Sequence, residues 1–198
     1  MGSSTVATAT TTCRHWLDRS AAARACRTNA TELEETPIAT EGDSPTPTLD
    51  ELLDQERRLV LPSLDENGAV AIGLSILTVA MERNLPVTIE VRLRDRVVFR
   101  AARNGTDATN DQYVGGKARL VEKFGHATLY ERLRYEAEGT TFEEATSLTF
   151  PEYAPHGGGF PLIVEGAGPV GVVIVSGLPQ LDDHALVVEC LARFTAAN

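Results

Sequence analysis

The segment VTIEVRLRDRVVFRA, residues 87–101, alternates with a period of two on either side of a short turn. Val87, Ile89, Val91 and Leu93 point one way and Thr88, Glu90 and Arg92 the other, the pattern of a half-buried strand. Arg94-Asp95-Arg96 is a turn and Val97–Ala101 a returning strand, so the segment predicts a β-hairpin. A second hairpin is predicted further on. Phe160–Val164 and Val170–Ser176 flank the turn at 165–169, and both are rich in β-branched residues. Runs of that kind predict that at least one of the two is central in its sheet.

Helical signals lie around and between the hairpins. Thr48-Leu-Asp-Glu51 reads as a capping box opening a helix to about Arg58, and Ser63-Leu-Asp-Glu66 as a second one opening a helix to about Arg83. The short apolar run Leu59-Val60-Leu61, closed by Pro62, reads as a further strand. The helix over 66–83 is apolar on most of its circumference, with Val70, Ile72, Leu74, Ile76, Leu77, Val79 and Met81. All-round apolarity predicts burial on more than one side, by the sheet and by a partner subunit. Helices are expected over about 110–124, 128–138 and 141–147, and a last one capped by Asp182 or Asp183 with Val187, Cys190, Leu191 and Phe194 along one stripe. Two hairpins separated by helices predict an α+β fold, with a mostly antiparallel sheet of about five strands flanked by helices.

The 198 residues suffice for one domain, and 42% of them are hydrophobic, enough for a substantial core. The net charge of −10 argues against nucleic acid and anionic lipid as partners. No apolar run reaches the roughly 20 residues of a membrane span, and the start lacks the apolar stretch of a secretory signal, so a cytoplasmic protein is expected. Residues 1–47 are rich in Thr, Ala and Ser and end in a Pro-punctuated acidic stretch, which predicts a disordered tail before a domain over 48–198. Their Arg- and Ala-rich, acid-poor start also faintly resembles a transit peptide. Cys13, Cys26 and Cys190 show neither a disulfide framework nor metal-ligand spacing, and Cys190 is expected to be buried as a small hydrophobe.

Familiar catalytic signatures are missing from the sequence, and the Gly-rich stretch at 157–159 precedes a strand rather than a helix, which lacks the geometry of a phosphate site. Three clusters carry candidate chemistry, each with a plainer reading beside it. Asn110, Asp111 and Tyr113 stand at a helix start with Lys117 one turn after Tyr113. They either cap that helix or set an aromatic ring beside an ammonium group, over a carboxylate or planar ligand. His156 precedes Gly157, Gly158 and Gly159. It is either a local loop histidine or an imidazole that ligates a metal or haem iron, or moves protons, where glycines permit close approach. Ser176, followed by Asp182-Asp183-His184, is either a strand end with a helix cap or a histidine oriented by carboxylates. The four histidines have no ligand spacing, so no metal site is assigned.

Together these residues resemble a known family. Asn110-Asp-Gln-Tyr113 with Lys117, Phe124-Gly-His126, the run Glu152–Pro161 containing His-Gly-Gly-Gly-Phe-Pro, and Ser176-Gly-Leu-Pro-Gln180 with Asp183–Glu189 are similar to the intracellular branch of the HbpS/GlcG-like, or haem-degrading-like, family. The resemblance covers about 48–196. It implies a profilin-like fold and a homo-oligomer. Some relatives bind or degrade haem and others have no settled activity. The branch usually carries Trp where this chain has Tyr113, and a Ser-Ser pair where it has Ala127-Thr128. The second departure removes one hydroxyl. Three functions stay open at this point: a small-ligand or haem-binding oligomer with a site near Asn110, Lys117, His156 and His184; an enzyme acting on a small anionic metabolite; and a scaffold whose motifs only cap helices.

Overall fold

The computed structural model describes residues 46–197; the expectations for the tail, with Cys13 and Cys26, lie outside them. Helices α1 (Leu49–Arg58) and α2 (Glu66–Glu82) precede the hairpin β1 (Thr88–Leu93) and β2 (Arg96–Ala102). Then come α3 (Ala108–Phe124), α4 (Thr128–Ala137) and the short α5 (Phe142–Thr146). The second hairpin, β3 (Gly159–Val164) and β4 (Gly168–Ser176), leads into α6 (Gln180–Ala197).

The four strands form one antiparallel sheet in the order β2-β1-β4-β3. The two hairpins join through β1 and β4, with Thr88 opposite Ser176 and Leu93 opposite Gly171. The fold is the expected α+β class, with four strands among the described residues where about five were expected. Leu61 makes only a single parallel bridge to Val164. Pro62 has no amide hydrogen to continue a ladder, so the run over 59–61 touches the sheet edge and leaves.

Helices cover both faces, α2 and α6 on one and α3 on the other. Ile89, Val91, Val173 and Val175 meet Ile72, Ile76, Val187 and Leu191 on the first face. Val172 and Ile174 meet Val114, Ala118 and Val121 under α3. The covering by α3 corrects the half-buried reading of β1. Thr88 and Glu90, on its polar face, are also fully buried. Glu90 keeps its carboxylate there by pairing with Arg92 at 2.6 Å and Arg100 at 2.8 Å.

Local signals place the helix starts, with one change. The Thr48–Glu51 capping box forms, Glu51 N–H donating to Thr48 Oγ1 at 3.2 Å and Thr48 N–H to Glu51 Oε2 at 2.8 Å. The box expected at Ser63 does not; Asp65 caps α2 instead, accepting from Gly68 N–H at 2.7 Å. A carboxylate one step from the helix is the stronger acceptor for its positive end. Ile72 and Ile76 face the sheet, fully buried, while Leu74 and Met81 on the outer side stay 50% and 61% exposed. Cys190 is buried as expected, and burial pushes its thiol up to about 11, which leaves it unreactive at neutral pH.

Candidate functional site

Helix α3 begins two residues earlier than expected. Asp107 is its cap, and Asn110 closes a capping box by accepting from Asp107 N–H at 2.9 Å. One face of α3 lies on β4, and Tyr113 and Lys117 share a side of the helix because they are one turn apart. Lys117 is 2% exposed. Its ammonium donates to the carbonyl of Val175 at 2.8 Å and to Asp183 Oδ2 at 3.0 Å. Asp183, from the first turn of α6, also accepts from Leu178 N–H at 3.0 Å and Gly177 N–H at 3.4 Å. The pair closes the end of the sheet where β4 stops at Ser176. Burial pulls the Lys117 ammonium below the ordinary lysine value and pushes Asp183 above the ordinary carboxylate value, and each partner's charge opposes the other's shift.

The Gly-rich loop lies directly on this ion pair. A side chain at Gly158, whose φ is +108°, would sit 2.9 Å from Lys117 Nζ and 2.8 Å from Asp183 Cβ. Gly157 packs as closely on the backbone at Gln180. The glycines therefore serve close approach, though of protein to protein. Thr128 fixes the loop: its hydroxyl donates to the carbonyl of His156 at 2.6 Å and accepts from Gly159 N–H at 3.0 Å. The Thr of the Ala127-Thr128 departure thus keeps the hydroxyl that holds the loop. The half-buried His156 ring meets Tyr113 edge to face, centroids 5.2 Å apart, and Tyr113 leans on Phe150. His156 Nδ1 is buried with no hydrogen-bond partner among the described residues. Burial first, then the nearby charges of Arg132 and Lys117, hold its pKa below the usual histidine value.

Of the residues singled out in the sequence, Asn110, Tyr113, Lys117, His156 and Ser176 line one hollow of about 270 Å³, and Gly157 and Gly158 pack behind it. Two do not join them. Asp111 lies about 200° around α3 from Tyr113 and pairs outward with Arg100 at 2.6 Å. His184 follows Asp183 on α6 and so points about 100° away. Its Nε2 sits 2.8 Å from Gln55 Oε1, at a separate hollow of about 300 Å³ between α1, α4 and α6. Burial first, then the charge of Lys117, lowers the His184 pKa to about 4. Sequence reasoning did not place Gln180 at the site, and it took Asp183 for a helix cap or a carboxylate orienting His184 rather than the partner of Lys117. The one available signal was that Asp183, six residues past the glycine at 177, belongs to the same recognisable run as Ser176.

Comparison with known proteins identifies the architecture. The family model described as haem degrading protein HbpS-like matches residues 64–192. The chain belongs to the HbpS-like family. A UPF0303 protein of Streptomyces avermitilis is similar to this HbpS-like chain, 47% identical over 148 residues that cover 75% of the chain and 91% of the relative. Among solved structures, that of the Ybr137w protein aligns with a TM-score of 0.71 at 30% identity, covering 77% of this chain and 90% of that one. A crystal structure of a PduOC:heme complex shares the fold alone, with a TM-score of 0.56 at 15% identity over 67% of this chain and 94% of that one. Among the described residues no helix is long and apolar enough to cross a membrane.

Proposed function

We propose that this HbpS-like protein binds a small polar ligand in the hollow over the Lys117–Asp183 pair. One observation carries the reading: a buried ion pair from two distant segments floors a concavity whose wall is completed by Asn110, Tyr113, His156 and Ser176. Convergent polar groups of this kind, with shifted pKa values, mark binding sites.

The heme complex of the PduOC neighbour raises haem as a second ligand. Haem needs an axial donor and an apolar slot. His156 Nδ1 has no partner among the described residues, but it is buried and presents no open axial position. The slot is lacking, because Asn110, Lys117, Ser176, Gln180 and Asp183 make the walls polar. The volume of about 270 Å³ also lies just below the roughly 300–1,000 Å³ of drug-sized ligand sites. The residues of one protomer therefore fit a smaller molecule and do not fit haem.

A thermal-shift screen of small polar metabolites, run beside a hemin titration, tests the reading. The expected result is stabilisation by a small polar compound that His156→Ala and Tyr113→Ala each weaken at least fivefold, with no Soret shift dependent on His156. A screen without hits, or a hemin Soret shift lost in His156→Ala, counts against it.

The reading includes a homo-oligomer and a cytoplasmic location. Leu74 and Met81, two turns apart on the outer side of α2, are exposed apolar side chains, and a second copy of the chain would cover them. Light scattering should give a multiple of the chain mass, reduced by Leu74→Glu; a monomeric wild type overturns the assembly.

A further inference from the structure

The hydrogen bonds around the hollow restrict the chemistry of its ligand further. The carboxylate and amide oxygens there are already used. Asp183 accepts from Lys117, Gly177 and Leu178. Asn110 Oδ1 accepts from Asp107 N–H at 2.9 Å, and Gln180 Oε1 from Gly157 N–H at 3.4 Å. A backbone N–H can be met only by an oxygen, so these two bonds fix both amides with their NH2 groups turned elsewhere. The Val175 carbonyl accepts from Lys117.

The donors are in surplus. An ammonium has three N–H groups, and Lys117 spends two, on Val175 and Asp183. Among the described residues the NH2 groups of Asn110 and Gln180 and the hydroxyl of Ser176 have no acceptor, and all three residues line the hollow. A ligand rich in donors would find only the His156 ring and the Tyr113 and Ser176 hydroxyls to bond. A ligand rich in acceptors would relieve the buried Lys117 and meet the other donors at once.

We infer that the hollow takes a small carboxylate, its oxygens toward Lys117, Asn110 and Ser176 and its body against Tyr113 and His156. This rests on the binding reading above and names the ligand class for that same hollow.

Three probes of one shape and different head groups test it: benzoate, benzamide and benzylamine. Each is titrated into the full-length protein while the backbone amides are followed by NMR. Benzoate should shift the amides over 110–117 and 176–180 and bind at least tenfold tighter than benzamide, with benzylamine weakest. Asn110→Asp is the sharpest variant, because its carboxylate still accepts from Asp107 N–H and keeps the helix cap while a donor to the ligand becomes a negative charge. It should melt within a few degrees of the wild type and bind benzoate at least tenfold more weakly. Asn110→Ala should show a smaller loss, because it removes the donor without placing a negative charge beside the ligand. Equal or tighter binding of benzamide or benzylamine at these amides keeps the hollow as a binding site and overturns the carboxylate. Unchanged benzoate affinity in Asn110→Asp overturns it too. Absence of shifts with all three probes overturns the carboxylate and counts against the binding reading as well.

Discussion

The two faces of the sheet are sealed by different means. Under α2 and α6 the seal is one continuous apolar cluster in which Ile72, Ile76, Ile89 and Val173 are fully buried. Under α3 the apolar cluster is only Val114, Ala118, Val121, Val172 and Ile174, and the rest of that side and its end buries Thr88, Glu90, Lys117, Ser176 and Asp183. Apolar burial is non-directional and tolerates volume-conserving exchange. Buried charge is directional: each group needs its partner in place, and removing one leaves the other uncompensated. The first face stabilises the domain. The second holds specific groups at specific positions, as a site requires.

The largest effect that could break this contrast is at the ion pair. Lys117→Met leaves Asp183 buried without its counter-charge and should cost about 3–5 kcal/mol, measured by urea unfolding. Lys117→Met with Asp183→Asn, whose neutral amide oxygen can still accept from Leu178 N–H, should recover most of that loss. Ile76→Ala on the other face should cost about 2–5 kcal/mol, with no partner change able to rescue it in the same way. A double variant as unstable as the single one would show that the pair is not a unit.

A pH titration sharpens the contrast, because His184 is a titratable group beside the apolar face, near Phe160. Its folded-state pKa of about 4 lies below the ordinary 6.5. Folding therefore favours the neutral ring. The associated stability is complete above pH 6.5 and is lost as pH falls toward 4. The expected loss is on the order of 3 kcal/mol, and it should shrink in His184→Gln. An equal acid loss in that variant would assign the effect to other groups.

The smallest effect is at Thr128. Thr128→Val removes the bonds to the His156 carbonyl and the Gly159 amide and should cost about 1–3 kcal/mol. Amide exchange over 155–159 should speed up more than exchange in β1. Uniform acceleration across the sheet would mean that the hydroxyl supports the whole fold rather than the loop.

Periodicity and punctuation wrote much of this molecule into the chain. Period two over 87–93 and the apolar runs around the turn at 165–169 set both hairpins, and Thr48–Glu51 set its helix start, because these signals act over a few residues. The spacing of Tyr113 and Lys117 put both on one side of α3, and their place in the hollow followed. Other features were decided only by the tertiary structure. Thr88 and Glu90 look solvent-facing until α3 covers them. Asp183 and His184 are neighbours in sequence, yet the helix turns one toward Lys117 and the other toward Gln55. Leu61 had strand character but only an edge to touch. Local sequence sets φ, ψ and the side on which a residue emerges; which groups lose water and find partners depends on segments many tens of residues away, and that distance kept the Lys117–Asp183 pair out of reach of any local reading.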